Sequence, residues 1–350
     1  MLYFYPGPSK LYPQIRGYLA DAYDSGILSM NHRSPDFVSI TQSVVSLLKV
    51  KLHIPKDYSI FFVSSATESW EIIAQSLVQK GSLHIFNGAF GQKWAEYSHK
   101  IHQKSSLFPY NLQQALDVGK LPDSNAFEVI CLTHNETSNG TQLDRQMIKA
   151  VSEKYQNKII AVDATSSMAG VALDWENADV WFASVQKCFG MPAGLGLMVC
   201  SPKVLAYAQQ INDRKYYNSL LFLAETMQNF QTNYTPNVLS IYLLNRILSE
   251  IDDIKTVGER TERNAKNWYN FLEKHGFDIL VKNPKVRSST VITINDEETF
   301  IKNIKEKAKK AGIILGNGYG VWKNTTFRIA NFPAITDDEI EQCRFFLQSI

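Results

Sequence analysis

The sequence predicts an α/β protein with a doubly wound, mostly parallel sheet and a smaller α+β domain at its carboxyl end. Two observations predict this fold. Between about residues 58 and 200, short apolar runs alternate with longer amphipathic ones, as in strands joined by crossover helices. After residue 238 the pattern turns helical, and the last segment mixes strand-like and helical pieces. The 350 residues, 45% of them hydrophobic, supply enough apolar material for two domains.

The larger domain is predicted from the order of its strands and helices. Strand-like runs lie at residues 59–63, 82–86, 128–132, 159–162, 180–183 and 195–200. Amphipathic helices are predicted at residues 68–79, 91–102 and 143–155. Serine and threonine at residues 64–67 are able to cap the first of these helices. We expect this larger α/β domain to occupy residues 14–250.

The smaller domain is predicted to begin after a helical connection. Residues 238–274 have a helical pattern broken only by Gly258, which indicates one long helix or a pair. We expect this domain to occupy residues 251–350, with residues 1–13 packing nearby. Its predicted elements are a strand at 289–294, a Lys-rich helix at 297–311, strands near Ile313 and Phe327, and a last helix at 338–348 that begins near Thr336.

Composition and charge limit the classes of partner. The 36 Lys and Arg nearly balance 34 Asp and Glu, and no run of five like charges suggests a nucleic-acid or membrane tail. No apolar run reaches the ~18 residues of a membrane span, and the start lacks the pattern of a signal peptide. A small-molecule substrate and a reducing cytoplasm are therefore expected. The cysteines Cys131, Cys188, Cys200 and Cys343 contain no Cys-x-x-Cys pair, so neither a metal site nor a disulfide framework is predicted.

An acid and an amine are predicted to lie at one edge of the sheet. Asp163 ends one predicted strand and Lys187 follows another. Ligands of open parallel sheets bind outside the carboxyl ends of the strands. Pyridoxal phosphate chemistry needs this pair, because a lysine carries the cofactor as a Schiff base and a carboxylate keeps the pyridine nitrogen protonated. A lysine that follows a strand is, taken alone, best interpreted as a solvent-exposed side chain. The neighbours of Lys187 are small and apolar, however, and burying an unpaired cation among them costs free energy, which favours a chemical role for this amine.

Several strings of residues resemble the class V aminotransferases, which are pyridoxal phosphate enzymes of fold type I. The segment beginning Asp163-Ala-Thr-Ser-Ser is followed by Ser184-Val-Gln-Lys187 and then by Gly194-Leu-Gly196. Within that class the nearest resemblance is to the phosphoserine aminotransferases of serine biosynthesis. The remaining strings that carry the resemblance are Pro6-Gly-Pro8, Asn31-His32-Arg33-Ser34, Asn135-Glu-Thr137-Ser-Asn-Gly140, Thr235-Pro236 and Thr326-Phe-Arg328-Ile.

The resemblance implies roles around the cofactor. Lys187 becomes the Schiff-base lysine and Asp163 the partner of the pyridine nitrogen. Phe90 falls where the family has an aromatic ring stacked on the cofactor, although phosphoserine enzymes commonly have tryptophan there. Thr235 is expected to reach the cofactor of a neighbouring subunit, which implies a homodimer with shared active sites. The other residues implied at the cofactor are Ser65, Ala66, Thr67, Ser184 and Gln186 at the phosphate and Thr137 at the ring or its O3′.

The same resemblance implies the substrate site. Arg328 lies in an otherwise uncharged strand-like run and would bind the α-carboxylate of the amino acid; a salt bridge to a nearby acid is the alternative. His32 and Arg33 would bind a second anion, the phosphate of phosphoserine. The chain lacks the second His-Arg pair that typical phosphoserine enzymes carry shortly before the carboxylate arginine, and Lys323 or Arg33 are possible substitutes. The acceptor implied by the family is 2-oxoglutarate.

Other functions remain alternatives. A class V transaminase that acts on alanine or serine with glyoxylate or pyruvate shares most of these residues. Cysteine desulfuration needs a mobile C-terminal cysteine, whereas Cys343 lies within the last predicted helix. A non-catalytic ligand-binding relative is the alternative from another class, and the joint presence of Lys187, Asp163 and Arg328 argues against it.

Overall fold

The computed structural model describes residues 1–102, 104–123 and 125–350. The strands are β1 (Leu2–Phe4), β2 (Ser59–Val63), β3 (Ser82–Phe86), β4 (Ser105–Pro109), β5 (Val129–Thr133), β6 (Asn135–Glu136), β7 (Thr141–Gln142), β8 (Ile159–Asp163), β9 (Val180–Ser184), β10 (Gly196–Cys200), β11 (Val291–Asn295), β12 (Ile313–Asn317) and β13 (Thr326–Ala330). The helices are α1 (Ile15–Asp24), α2 (Pro35–Leu52), α3 (Ala66–Leu77), α4 (Ala89–His102), α5 (Arg145–Lys154), α6 (Pro202–Ile211), α7 (Leu220–Met227), α8 (Val238–Glu250), α9 (Ile254–Lys274), α10 (Glu298–Lys310) and α11 (Asp337–Gln348).

The larger sheet has the strand order β2-β10-β9-β8-β5-β3-β4. Every neighbouring pair is parallel except the two pairs that involve β10, which runs against both β2 and β9. The predicted α/β fold with a mostly parallel sheet is confirmed. Because β2, β5, β8 and β9 run in one direction, their carboxyl ends meet at the same edge of the sheet.

Both faces of the larger sheet are covered, and the side chains of β2 alternate between them. Ile60 and Phe62 belong to the larger hydrophobic core, whereas Phe61 and Val63 belong to a second core with residues of α3 and α4. Successive strand residues point to opposite faces, so a continuous apolar run indicates burial on both sides. This arrangement leaves the ends of the strands as the place for polar side chains.

The helical connection after residue 238 is a pair of helices. The prediction that the pattern breaks at Gly258 is wrong, because the chain leaves the helical path at residues 251–253, between α8 and α9. Asp253 caps α9 by accepting a hydrogen bond from the Thr256 backbone N–H at 3.0 Å. Gly258 lies inside α9, where a Cβ atom would be 3.5 Å from the Ala172 nitrogen. A well-capped, packed helix tolerates an interior glycine, which costs about 1 kcal/mol.

The smaller sheet has the order β1-β12-β13-β11, with β1 parallel to β12 and the other pairs antiparallel. The amino-terminal strand therefore pairs with the carboxyl-terminal part of the chain. From there the chain crosses to the larger sheet, where the Ser9 N–H donates to the Gln186 carbonyl at 2.9 Å. The division at residue 250 stays a prediction.

Two helices near the amino terminus, α1 and α2, were not predicted from the sequence. The start of α2 carries a recognisable signal, since Ser34 caps the helix and Pro35 occupies its first turn. None of the helices in the described part of the chain is long and apolar enough to cross a membrane.

Candidate active site

A cavity of about 270 Å³ lies where the carboxyl edge of the larger sheet meets the smaller sheet. Residues 5–8, which follow β1, form part of its wall. Most of the predicted site residues also line it. They are Ala66, Thr67, Phe90, Thr137, Asp163, Ser184, Gln186, Lys187 and Arg328.

Lys187 is a buried amine in this cavity, with 8% of its surface exposed. Its Nζ donates a hydrogen bond to Thr137 Oγ1 at 2.8 Å. Burial lowers the pKa of Lys187 to about 8, while the Asp163 carboxylate opposes that shift and the Arg328 charge adds to it. A Cβ atom on Gly7 would lie 3.2 Å from Lys187 Cε, so glycine at that position permits the backbone to pass close to the amine. The lowered pKa gives Lys187 a larger neutral fraction near neutral pH than an ordinary lysine has, which suits nucleophilic attack and proton transfer.

Asp163 is a buried carboxylate at the end of β8, with 5% of its surface exposed. It accepts hydrogen bonds from the Thr165 N–H at 2.9 Å and from Trp70 Nε1 at 3.3 Å. Burial raises the pKa of Asp163, and the hydrogen bonds from Thr165, the Lys187 charge and the Trp70 bond oppose that rise. Trp70 was not predicted from the sequence, because its position on α3 is equally that of a core residue.

The amino terminus of α3 forms an anion cradle with the end of β9. Ser65 caps the helix by accepting from the Glu68 N–H at 3.2 Å. The Ala66 N–H donates to Ser184 Oγ at 2.8 Å. Ala66 and Thr67 line the cavity, whereas Ser65 does not. Unpaired N–H groups and the helix dipole at this position favour a bound anion.

Polar atoms without partners surround the cavity. Gln186 Oε1 and Thr133 Oγ1 are buried, and no hydrogen-bond partner for them occurs in the described residues. Both residues line the cavity. Buried polar side chains normally have partners, so two such atoms at one cavity indicate a polar ligand. The cradle, the buried amine and these atoms fit a phosphorylated, carbonyl-bearing cofactor such as pyridoxal phosphate.

Phe90 lies in the cavity rather than in the core. Its ring centroid is 5.2 Å from Lys187 Nζ, and the ring is stacked on Tyr319 at 4.8 Å between centroids. The Phe90 and Gly91 backbone N–H groups donate to the buried carboxylate of Glu136 at 3.2 and 3.1 Å. Glu136 therefore fixes the first turn of α4, which carries the ring. Neither Glu136 nor Tyr319 was singled out from the sequence.

Arg328 lies on β13 with 4% of its surface exposed. Its Nε donates to the Asn317 carbonyl at 2.6 Å and its Nη1 to the Thr137 carbonyl at 2.7 Å. Burial lowers the pKa of Arg328 to about 10. Within the described ranges, no carboxylate forms a salt bridge with this guanidinium. The structure therefore does not contain the salt bridge that was the alternative for Arg328. The guanidinium N–H groups that are not bonded to these two carbonyls remain available on the cavity side.

The predicted substrate residues His32 and Arg33 do not line the cavity of their own chain, and neither does Thr235. Arg33 Nη1 donates to Gln231 Oε1 at 3.3 Å, so the two segments that carry these residues are adjacent. His32 Nε2 is buried, with no partner among the residues described. Their assignment to a shared site stays a prediction.

Comparisons with known proteins give the family. The family model for the class V aminotransferases matches residues 5–340. The chain belongs to the class V aminotransferases. A curated phosphoserine aminotransferase from Corynebacterium glutamicum (strain R) is 28% identical over 353 residues, covering 96% of this chain and 90% of the relative. A phosphoserine aminotransferase structure from Cytophaga hutchinsonii is 31% identical, with a TM-score of 0.95, and the match covers 99% of this chain and 98% of that one.

A more distant structure supports the fold alone. An aspartate aminotransferase of subgroup IV from Thermus thermophilus has a TM-score of 0.87 at 20% identity, covering 100% of this chain and 98% of that one. The aminotransferase thus has the α/β architecture of fold-type I enzymes and depends on pyridoxal phosphate. All four of its cysteines are unpaired and buried, and Cys343 lies inside α11, which does not suit the mobile nucleophile of a desulfurase.

Proposed function

We propose that this aminotransferase interconverts phosphoserine and its 2-oxo acid, with 2-oxoglutarate and glutamate as the second pair, as in serine biosynthesis. The observation that carries the proposal is the convergence of Lys187, Asp163 and Arg328 on one cavity. The names of the relatives at 28% and 31% identity support the phosphorylated substrate.

Around the cofactor, each residue has a distinct task. Lys187 is the lysine that holds pyridoxal phosphate, and Asp163 keeps the pyridine nitrogen protonated. When bound, the cofactor accepts the electron pair released at the substrate Cα and carries the amino group between the two acids. The α3 terminus with Ser184 and Gln186 binds the phosphate, and Phe90 packs against the ring. Thr137 Oγ1 accepts a hydrogen bond from Lys187 Nζ at 2.8 Å, which orients the amine, and this hydroxyl would also hold the cofactor ring.

Two residues handle the substrate directly. Arg328 binds the α-carboxylate through the N–H groups that its carbonyl partners leave free. Lys187, as a neutral amine, would take the proton from the substrate Cα. The pKa of about 8 favours that role, because a lysine with an ordinary pKa of 10.5 is almost wholly protonated near neutral pH.

We further propose a homodimer in which the segments around Arg33 and Thr235 complete the partner's cavity. Both segments are in contact through the Arg33–Gln231 hydrogen bond, and Thr235 is exposed. The buried Nε2 of His32 has no partner in the described part of a single chain, which supports contact with a ligand or second chain.

A donor screen tests the proposed substrate. We expect the highest kcat/KM for phosphoserine with 2-oxoglutarate as acceptor. Alanine or serine, paired with glyoxylate or pyruvate, serves as the comparison, because the chain has Gly318-Tyr319-Gly320 where typical phosphoserine enzymes have a second His-Arg pair. Turnover of alanine or serine as fast as that of phosphoserine would replace the proposal with the alternative transaminase.

A further inference from the structure

Lys93 is a cation of the cavity wall that has no role in the chemistry described above. It lies on α4, one helical turn after Phe90, and residues three apart on a helix share a face. Both residues line the cavity, and Lys93 also lines an adjoining open groove with Tyr110, Tyr319 and Trp322. Lys93 is therefore at the mouth of the site, between the buried chemistry and solvent.

The charges of the cavity leave Lys93 available for a ligand. The other cations in the lining are Lys187 and Arg328, which are assigned to the cofactor and the α-carboxylate. Among the described residues, no carboxylate lies within salt-bridge distance of Lys93 Nζ, which is 5.8 Å from the centre of the Tyr97 ring. The nearby Glu96 instead accepts a hydrogen bond from Gln92 at 2.9 Å.

The substrates of the proposed reaction carry a second anionic group. Phosphoserine has a phosphate and glutamate a side-chain carboxylate, and each lies several bonds from the α-carboxylate held at Arg328. Both Lys93 and Lys323, one of the substitutes suggested by the sequence, are exposed, but Lys323 lines neither the cavity nor the groove. Lys93 lines both the cavity and the groove and can therefore reach a bound substrate.

We propose that Lys93 binds the distal anionic group of the amino donor and the 2-oxo acid acceptor from within the same subunit, as a specificity-determining residue. This inference rests on the proposed function, since it assumes a substrate with two anionic ends. The ammonium is a point charge on a flexible stem, so it reaches both a phosphate and a shorter or longer carboxylate.

The test compares Lys93→Gln with Lys100→Gln in the cofactor-loaded enzyme. Lys100 is a matched control, because it lies on the same helix with its Nζ 4.8 Å from the same Tyr97 ring but does not line the cavity. For Lys93→Gln we expect KM for phosphoserine and for glutamate to rise roughly 5- to 10-fold with little change in kcat, as for a partly exposed charge pair. KM for serine and alanine should stay unchanged, and Lys100→Gln should behave as wild type. Lys93→Arg should recover most of the loss.

Salt gives a second readout that a purely structural role would not change. The preference of the wild type for phosphoserine over serine should fall as ionic strength rises, and this slope should flatten in Lys93→Gln. Equal losses for charged and neutral donors, or no loss at all, would overturn the inference. If the wild type uses glutamate but not phosphoserine as amino donor, the proposed donor is refuted. The role of Lys93 is then tested by comparing the change in KM for glutamate with that for alanine in Lys93→Gln. A wild type that takes neither anionic donor overturns both proposals.

Discussion

Replacing Arg328 with lysine keeps the positive charge at the proposed carboxylate site and removes the guanidinium geometry. In the structure, Nε and Nη1 of Arg328 are bonded to the carbonyls of Asn317 and Thr137 at 2.6 and 2.7 Å. These two bonds aim the remaining N–H groups at the cavity. An ammonium group cannot serve the two carbonyls and make two parallel bonds to a carboxylate at once.

The expected loss follows from the bonds removed. One charge-assisted hydrogen bond to a buried carboxylate is worth about 2–3 kcal/mol, or roughly 30- to 150-fold in kcat/KM. Because every amino acid presents the same α-carboxylate, the loss should be equal for phosphoserine, glutamate, serine and alanine. Steady-state kinetics with each donor measures it.

A matched control separates binding from folding. Arg287 also bonds a backbone carbonyl, that of Val281 at 2.9 Å, but does not line the cavity. Arg287→Lys should lower the melting temperature without changing kcat/KM. A loss in Arg328→Lys that is confined to one donor, or that is under about threefold, would refute the carboxylate assignment.

Three further predictions concern the other charged groups. Asp163→Asn should retain the cofactor, as measured by its absorbance, and lose several factors of ten in kcat, each worth ~1.4 kcal/mol of barrier; wild-type rates would mean that another acid serves the pyridine nitrogen. Arg33→Ala should lose roughly 2–4 kcal/mol of transition-state binding for phosphoserine and almost none for serine, whereas equal losses in kcat/KM would remove its phosphate role. Because burial lowers the pKa of Lys187 to about 8, its neutral, nucleophilic fraction is one half at that pH and nears completion about one pH unit higher. Stopped-flow capture of pyridoxal phosphate by cofactor-free protein should therefore accelerate with pH, with a midpoint at about 8. A midpoint near the ordinary lysine pKa of 10.5 would contradict the burial argument.

The positions of Asp163 and Lys187 could be predicted from sequence because they depend on local pattern. Each follows a short apolar run, and parallel strands bring their carboxyl ends to one edge whatever the details of packing. The cap at Ser65 is similarly local, since it needs only a serine before an amphipathic helix. The fold, and the edge of the sheet that carries the candidate cofactor site, could therefore be predicted from the sequence.

The contacts between distant segments were not accessible in this way. Trp70 has the spacing of a core residue, and only the packing of α3 against the sheet brings its Nε1 to Asp163. Tyr319 belongs to a loop, and its stacking on Phe90 depends on how the two sheets meet. The error at Gly258 has a related cause, because glycine weakens a helix locally while the cap at Asp253 and tertiary packing decide where the helix begins.

The most direct test of the account is to identify the residue that holds the cofactor. Borohydride reduction of the loaded protein converts the lysine–cofactor bond to a stable amine, and peptide mass spectrometry locates it. We predict one reduced cofactor per chain, attached to Lys187. Attachment to Lys93, the other lysine of the described cavity lining, or the absence of any covalent adduct, would contradict the account.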